Sequence, residues 1–307
     1  MDRPLVSICI PGYGRVDYVR NTINSIYNSL DVSIADFEVV LSDNDPNHEL
    51  ECLSRDFDYP NFHYYRTQCE GFMNSYYALS YGSGYFLKLH NSQSIFLQGA
   101  LKMLIEDARI SIKNRMLIFY TNGLLDRFCK SYYSNFNDFM YGLSYWSSWS
   151  NGISMLKSDF DKNNGVKLNP LFPHTSLLVA IDYLDSYCIN DFALFYIQRI
   201  PKRGGHNKFE AFTVDYPSII NSCQKTNKIS LACENHIIRD LMKEFLPSLV
   251  FNNYIARIEK FEAKNFGSNI KLYYPSYGRL IVFLYVLVVP FRLIYRKIRY
   301  SIKANSR

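Results

Sequence analysis

The 307-residue chain is 48% hydrophobic and 20% charged, which supplies a full core and excludes a disordered polymer. Its net charge of +6 lies at one end: Arg292, Arg296, Lys297, Arg299, Lys303 and Arg307 make up the whole excess, with no acid among them. A basic footprint spread over the molecule, as a nucleic-acid binder needs, is excluded.

The seven cysteines stand singly, with no C-x-x-C pair, which argues against a disulfide framework or a structural zinc site. The opening MDRPLVSICI has neither region of a signal peptide, so a reduced, cytosolic compartment is expected. The 26 Tyr and 22 Phe fit either wide amphipathic surfaces or a compositional bias that also favours Asn, Lys and Ile.

Residues 5–10 are apolar and β-branched and predict a strand covered on both faces. Pro11 ends it, and Gly12 and Gly14 free the backbone for a close approach. A helix is expected over residues 16–30, with Val19, Ile23, Ile26 and Leu30 on one face. A second strand, 37–41, stops at Ser42-Asp43-Asn44. This is a βαβ unit, which sets two parallel strand ends side by side where a nucleotide can bind. Further strands are expected at 62–65, 85–89, 116–120, 152–156 and 192–198, and helices at 74–81, 99–108, 176–187, 230–244 and 249–263. Residues 126–151, with both Trp residues, read as irregular. Residues 280–291 (LIVFLYVLVVPF) are uncharged and apolar, too short to span a bilayer. Followed by the basic run, they fit a helix lying in a membrane interface or, alternatively, a buried core helix. The first turn lacks G-x-G-x-x-G and the chain lacks a G-K-S/T loop, so dinucleotide and P-loop chemistry are disfavoured.

The segments VSICIPGYGRVDYVRNTINSI, FEVVLSDN, EGFMNSYYALSYGSGYFLKL and SMLKSDF, the last followed by NPLFPHTSLL and KRGGHN, resemble family 2 glycosyltransferases of the GT-A fold. The nearest likeness is to bacterial enzymes of O-antigen or capsular polysaccharide synthesis. The resemblance implies a mixed, mainly parallel α/β sheet flanked by helices. Its expected parts are a nucleotide-sugar half (1–115) and an acceptor-side half (116–265). The resemblance also implies an inverting transfer from a UDP- or dTDP-sugar to a lipid-linked saccharide. Residues 266–307 carry little of the resemblance. Their own apolar block and basic run lead us to expect a membrane-associating basic tail that holds the protein at the cytoplasmic face of the inner membrane. The expected donor contacts are Pro11, Tyr13, Arg15, Asp43 and Asn74. Asp43 would read a uracil or thymine N–H, and a carboxylate there rejects the wrong base by being left unpaired.

Where the family carries an acidic Asp-x-Asp-type motif for a divalent cation, this chain has His90-Asn91-Ser92-Gln93. Three consequences stay open. Mg²⁺ or Mn²⁺ is held weakly through His90 and Asn91, or the chain works without metal, or it is a degenerate relative that binds nucleotide or saccharide and supports a partner. For the base that takes the acceptor's proton, His174 is the first candidate and Asp159 and Asp191 the others.

Overall fold

The computed structural model describes residues 3–28, 31–201 and 203–295. Leu30, Lys202 and the basic residues Arg296, Lys297, Arg299, Lys303 and Arg307, all used in the sequence expectations, lie outside the described residues. The chain packs as two compact units, Met1–Arg199 and Ile200–Arg307.

The first unit is built on strands β1 (Val6–Gly12), β2 (Phe37–Asp43), β3 (Phe62–Arg66), β4 (Phe86–Leu89), β5 (Ser94–Phe96), β6 (Leu117–Tyr120), β7 (Lys130–Tyr133), β8 (Ser154–Leu156), β9 (Tyr187–Asn190) and β10 (Phe195–Ile197). The main sheet has the order β3-β2-β1-β4-β8. Its first four strands are parallel and β8 runs antiparallel to β4. A second sheet, β6-β9-β7, pairs β6 with β9 in parallel and β7 with β9 in antiparallel. An antiparallel bridge from Phe119 to Ile153 joins the two sheets, so β6 runs in the direction of β4. The mixed, mainly parallel α/β sheet expected from the sequence is the one observed.

Strands β1 and β2 are buried along nearly their whole length, as parallel strands between helical layers must be. The helix Val16–Tyr27 turns Val19, Ile23 and Ile26 into the core, and Ala100–Asn114 buries Leu101, Leu104, Ile105 and Ala108. Both follow the expected 3.6-residue spacing.

Three expectations were displaced. Residues 126–151 are not irregular: they hold β7 and a helix, Phe136–Leu143, whose Asn135 cap accepts from the Asp138 N–H at 2.9 Å. The helix expected over 176–187 is Pro173–Ala180 instead, with Pro173 at its first position. Tyr187 opens β9 and closes the turn: its hydroxyl accepts from the Leu184 N–H and donates to the Ile181 carbonyl, both at 3.0 Å. In the second unit, Ser230 caps the helix Leu231–Asp240, which continues through Leu246–Val250 by way of π-helical turns. The last such turn, Phe251–Ile255, ends before Arg257, which takes a left-handed φ of 52°. The helix expected to reach residue 263 therefore stops early.

Candidate functional site

Parallel strands bring Gly12, Asp43 and Arg66 to one end of the sheet in register. Asn74, the first residue of the helix Asn74–Tyr81, ties that end together. Its Nδ2 lies 3.1 Å from the Gly12 carbonyl, 2.8 Å from that of Ser42 and 2.9 Å from Asn44 Oδ1. Its Oδ1 accepts from the Ser42 hydroxyl at 2.6 Å. Every polar atom of this buried amide is used inside the protein, so Asn74 builds the cradle rather than lining it.

Asp43 is fully buried. One carboxylate oxygen accepts from the Asp45 N–H and the other from the Tyr64 hydroxyl, each at 2.9 Å. Burial, and next the bond to Asp43, push the Tyr64 phenol above its ordinary range. A carboxylate has about four acceptor sites, so the two contacts leave about two unused. Asn44 donates to the carbonyls of Cys69 and Gly71, which brings the loop before Asn74 against β2.

The turn after β1 supplies the exposed groups. Tyr13 is 62% exposed. Gly14 has φ 53°, and a Cβ there would lie 3.2 Å from both Asp45 Oδ2 and Glu49 Oε2, so the position needs glycine. Arg15 is exposed, has φ 56° and precedes the first helix. Among the described residues no hydrogen bond or ion pair holds its guanidinium. Pro11 is half-buried and pairs with Ser42 along the β1–β2 ladder.

At the end of β4 the polarity turns inward. Lys88 is fully buried. Its ammonium donates to the carbonyls of Leu89 at 2.6 Å and Asn151 at 2.5 Å, and sits 5.3 Å from the ring centres of Tyr120 and Phe195. Burial pushes its pKa down to about 7. His90 is also fully buried, its ring packed against Phe96 and Phe195. Its Nε2 lies 2.7 Å from the Ser94 carbonyl. A carbonyl only accepts, so Nε2 carries the proton and Nδ1 keeps a lone pair. Burial, and next the charge on Lys88, push His90 down to about 3.

Asn151 joins this end to the turn before β8. Its Oδ1 accepts from the Asn91 N–H at 2.7 Å, while the Asn91 side-chain oxygen accepts from Ser150 at 2.9 Å. Buried polar atoms without a partner gather here, namely His90 Nδ1, Ser94 Oγ and Asn151 Nδ2. Such atoms mark places for water or ligand. Lys88, Ser150 and Asn151 were not singled out in the sequence. The one signal was a lysine in an otherwise apolar strand, FLKL.

This set does not fit Mg²⁺ or Mn²⁺. Such hard cations take oxygen ligands, carboxylates foremost. His90 instead spends one nitrogen on a carbonyl and buries the other, and the Asn91 oxygen is engaged by Ser150. Among the described residues no group of three or more His, Cys, Asp or Glu side chains is placed to hold a metal. The physical reason is strand alternation, which puts His90 on the same covered face as Lys88.

The three candidate bases fall in different places. Asp159 follows β8, which runs back antiparallel to β4. The Lys157 N–H bonds the Tyr85 carbonyl, so Asp159 lies near the amino end of β4, away from Asp43. There it accepts from Arg115 at 3.2 Å and Tyr183 at 3.0 Å. Asp191 follows β9 at the carboxyl end. Its two oxygens accept from the Thr121 hydroxyl and from the N–H groups of Leu125, Arg127 and Phe128, at 2.6–3.1 Å. It anchors the loop after β6 and has no acceptor site to spare. His174 lies in Pro173–Ala180, which packs on the helix Asn74–Tyr81. Its Nε2 meets the Ser148 carbonyl at 2.8 Å. Nδ1 is therefore the lone-pair nitrogen, buried and without a partner. Burial pushes this imidazole down to about 4, so it is neutral at pH 7.

No family model and no curated protein matches the chain. Solved structures do. S. aureus TarS residues 1–349 aligns with TM-score 0.53 and 15% identity over 81% of this chain and 75% of that one. The same fragment in complex with UDP-GlcNAc gives 0.51 and 16% over 81% and 76%. Its complex with UDP gives 0.51 and 16% over 81% and 75%. At this identity the likeness is one of fold, and that fold is GT-A-like.

Proposed function

We propose that the chain is an inverting glycosyltransferase. It would move a sugar from a UDP- or dTDP-type donor to a lipid-linked saccharide of O-antigen or capsule synthesis, at the cytoplasmic face of the inner membrane. One observation carries the donor side: a buried carboxylate with spare acceptor capacity, Asp43, lies at the strand ends beside a turn that offers Tyr13 and an exposed Arg15 whose guanidinium has no partner among the described residues. The fold is shared with a protein solved in complex with UDP-GlcNAc and with UDP.

In this reading Asp43 accepts the base N–H, Tyr13 stacks on the base and Arg15 meets the diphosphate, where charge grows as the bond to the sugar breaks. His174 is the base, since its Nδ1 is a lone-pair nitrogen without a partner on a helix that packs against the Asn74 helix, whereas Asp159 lies at the opposite end of the sheet and Asp191 is filled by four donors. Turnover through it should stay level at neutral pH and fall only towards its pKa near 4. The residues at the end of β4 support no step through a divalent cation, so chelation should leave donor binding unchanged.

A second reading, a non-catalytic donor-binding relative that supports a partner enzyme, is favoured by the inward turn of His90. Calorimetry with UDP and with dTDP, followed by nucleotide release from the corresponding sugar donors with and without EDTA, separates the two. Absence of binding of both nucleotides overturns both. Binding with no release from any donor, in the presence of membrane extract as acceptor source, leaves only the second.

A further inference from the structure

The helix Gly278–Val286 and the following Val289–Tyr295 form a bent pair, 50° apart. Pro290 lies at the break, where its missing N–H removes a helical bond. One side of the pair belongs to the protein. Val282, Val286 and Val289 are buried, and the first helix packs on Leu241–Phe245 and Leu246–Val250. The close approach needs Gly278, where a Cβ would lie 3.1 Å from Tyr274 Cβ and 3.4 Å from Met242 Sδ.

The other side is apolar and uncovered. Leu280, Phe283, Leu284, Leu287, Phe291 and Ile294 are each 45–71% exposed, at a spacing that keeps them on one stripe. The sequence alone read residues 280–291 as one apolar block. The structure divides it into a docked face and a free face.

Charge indicates what covers the free face. After Glu262 the chain contains no acidic residue to its end, while Lys264, Lys271, Arg279, Arg292 and the five basic residues beyond 295 are all cationic. Among the described residues no single helix is long and apolar enough to cross a membrane. With Val282, Val286 and Val289 seated on protein, lipid cannot surround the pair. An apolar stripe flanked by cations, anchored on its back to a folded unit, suits the boundary between acyl chains and anionic headgroups.

We propose that this face lies on an anionic lipid bilayer, with Leu287 and Phe291 entering the acyl region and Arg279 among the headgroups. The proposal does not depend on the donor chemistry. The test is flotation of the full chain with vesicles of phosphatidylcholine alone and of phosphatidylcholine mixed with phosphatidylglycerol, beside the L287E/F291E variant. Both positions are about 70% exposed, so the variant should fold, checked by an unchanged melting temperature. Expected are binding to the mixed vesicles, weakening in high salt, and a loss of roughly tenfold or more in the variant, the scale of two large apolar side chains. Equal binding by the variant overturns the proposal. So does a wild-type chain that ignores vesicles but forms a dimer that the variant dissolves, because the covering partner is then a second copy.

Discussion

The Lys88 ammonium donates to the carbonyl of Asn151, 63 residues on, at 2.5 Å. The contact fastens the end of β4 to the turn that holds Asn91 through Asn151 and Ser150, and His174 through the Ser148 carbonyl. A buried ammonium without a carboxylate partner is costly, and here two carbonyls and two aromatic rings share the charge.

That cost appears as a pH dependence. The pKa of Lys88 falls from 10.5 in the unfolded chain to about 7 in the fold, so the unfolded chain binds this proton more tightly. Stability should rise with pH from about 7 to about 9, above which thiol and phenol ionisation intervenes. Melting temperatures across that range check it. Lys88→Met should flatten the slope, and an unchanged slope would assign it to other groups.

Acid should act through the buried imidazoles. His90 and His174 are pushed from 6.5 down to about 3 and about 4. Both stay neutral in the fold while the unfolded chain takes up protons below 6.5. Stability is therefore whole above pH 6.5 and lost as pH falls towards 4. In thermal melts over that window, the H90Q/H174Q variant should lose less than wild type.

Asn74→Ala should destabilise the protein by about 2–3 kcal/mol, because it leaves buried groups of Ser42 and Asn44 without their partner. Urea unfolding measures this. A near-neutral result would show that water replaces the amide.

Arg15→Gly separates binding from folding. The residue sits at φ 56°, where glycine is at ease, so melting temperature should hold or rise. UDP affinity should fall by about 1–3 kcal/mol, the scale of a hydrogen bond to a charged group. Undiminished affinity in calorimetry would place the diphosphate elsewhere.

Asp43→Asn should weaken UDP binding by a similar amount. Tyr64→Phe, which removes only the hydroxyl that meets Asp43, should leave affinity nearly intact. If both variants weaken binding equally, Asp43 acts by holding the turn rather than by reading the base.

Local pattern determined much of this protein. Apolar runs and 3.6-residue spacing gave β1, β2, β4 and the helices between them, and placed Asp43 at a strand end, because these depend on near neighbours in the chain. The apolar block ahead of the basic tail was legible for the same reason. The tertiary structure decided which polar groups remain available. Asn74 is consumed by Gly12, Ser42 and Asn44, and Asp191 by the loop after β6. Asp159 is carried to the far end of the sheet by an antiparallel β8. Lys88 and Asn151 become partners although nothing near either residue announces it. A hydrogen-bond donor is spent or free according to residues dozens of positions away, and only the folded arrangement brings those residues together.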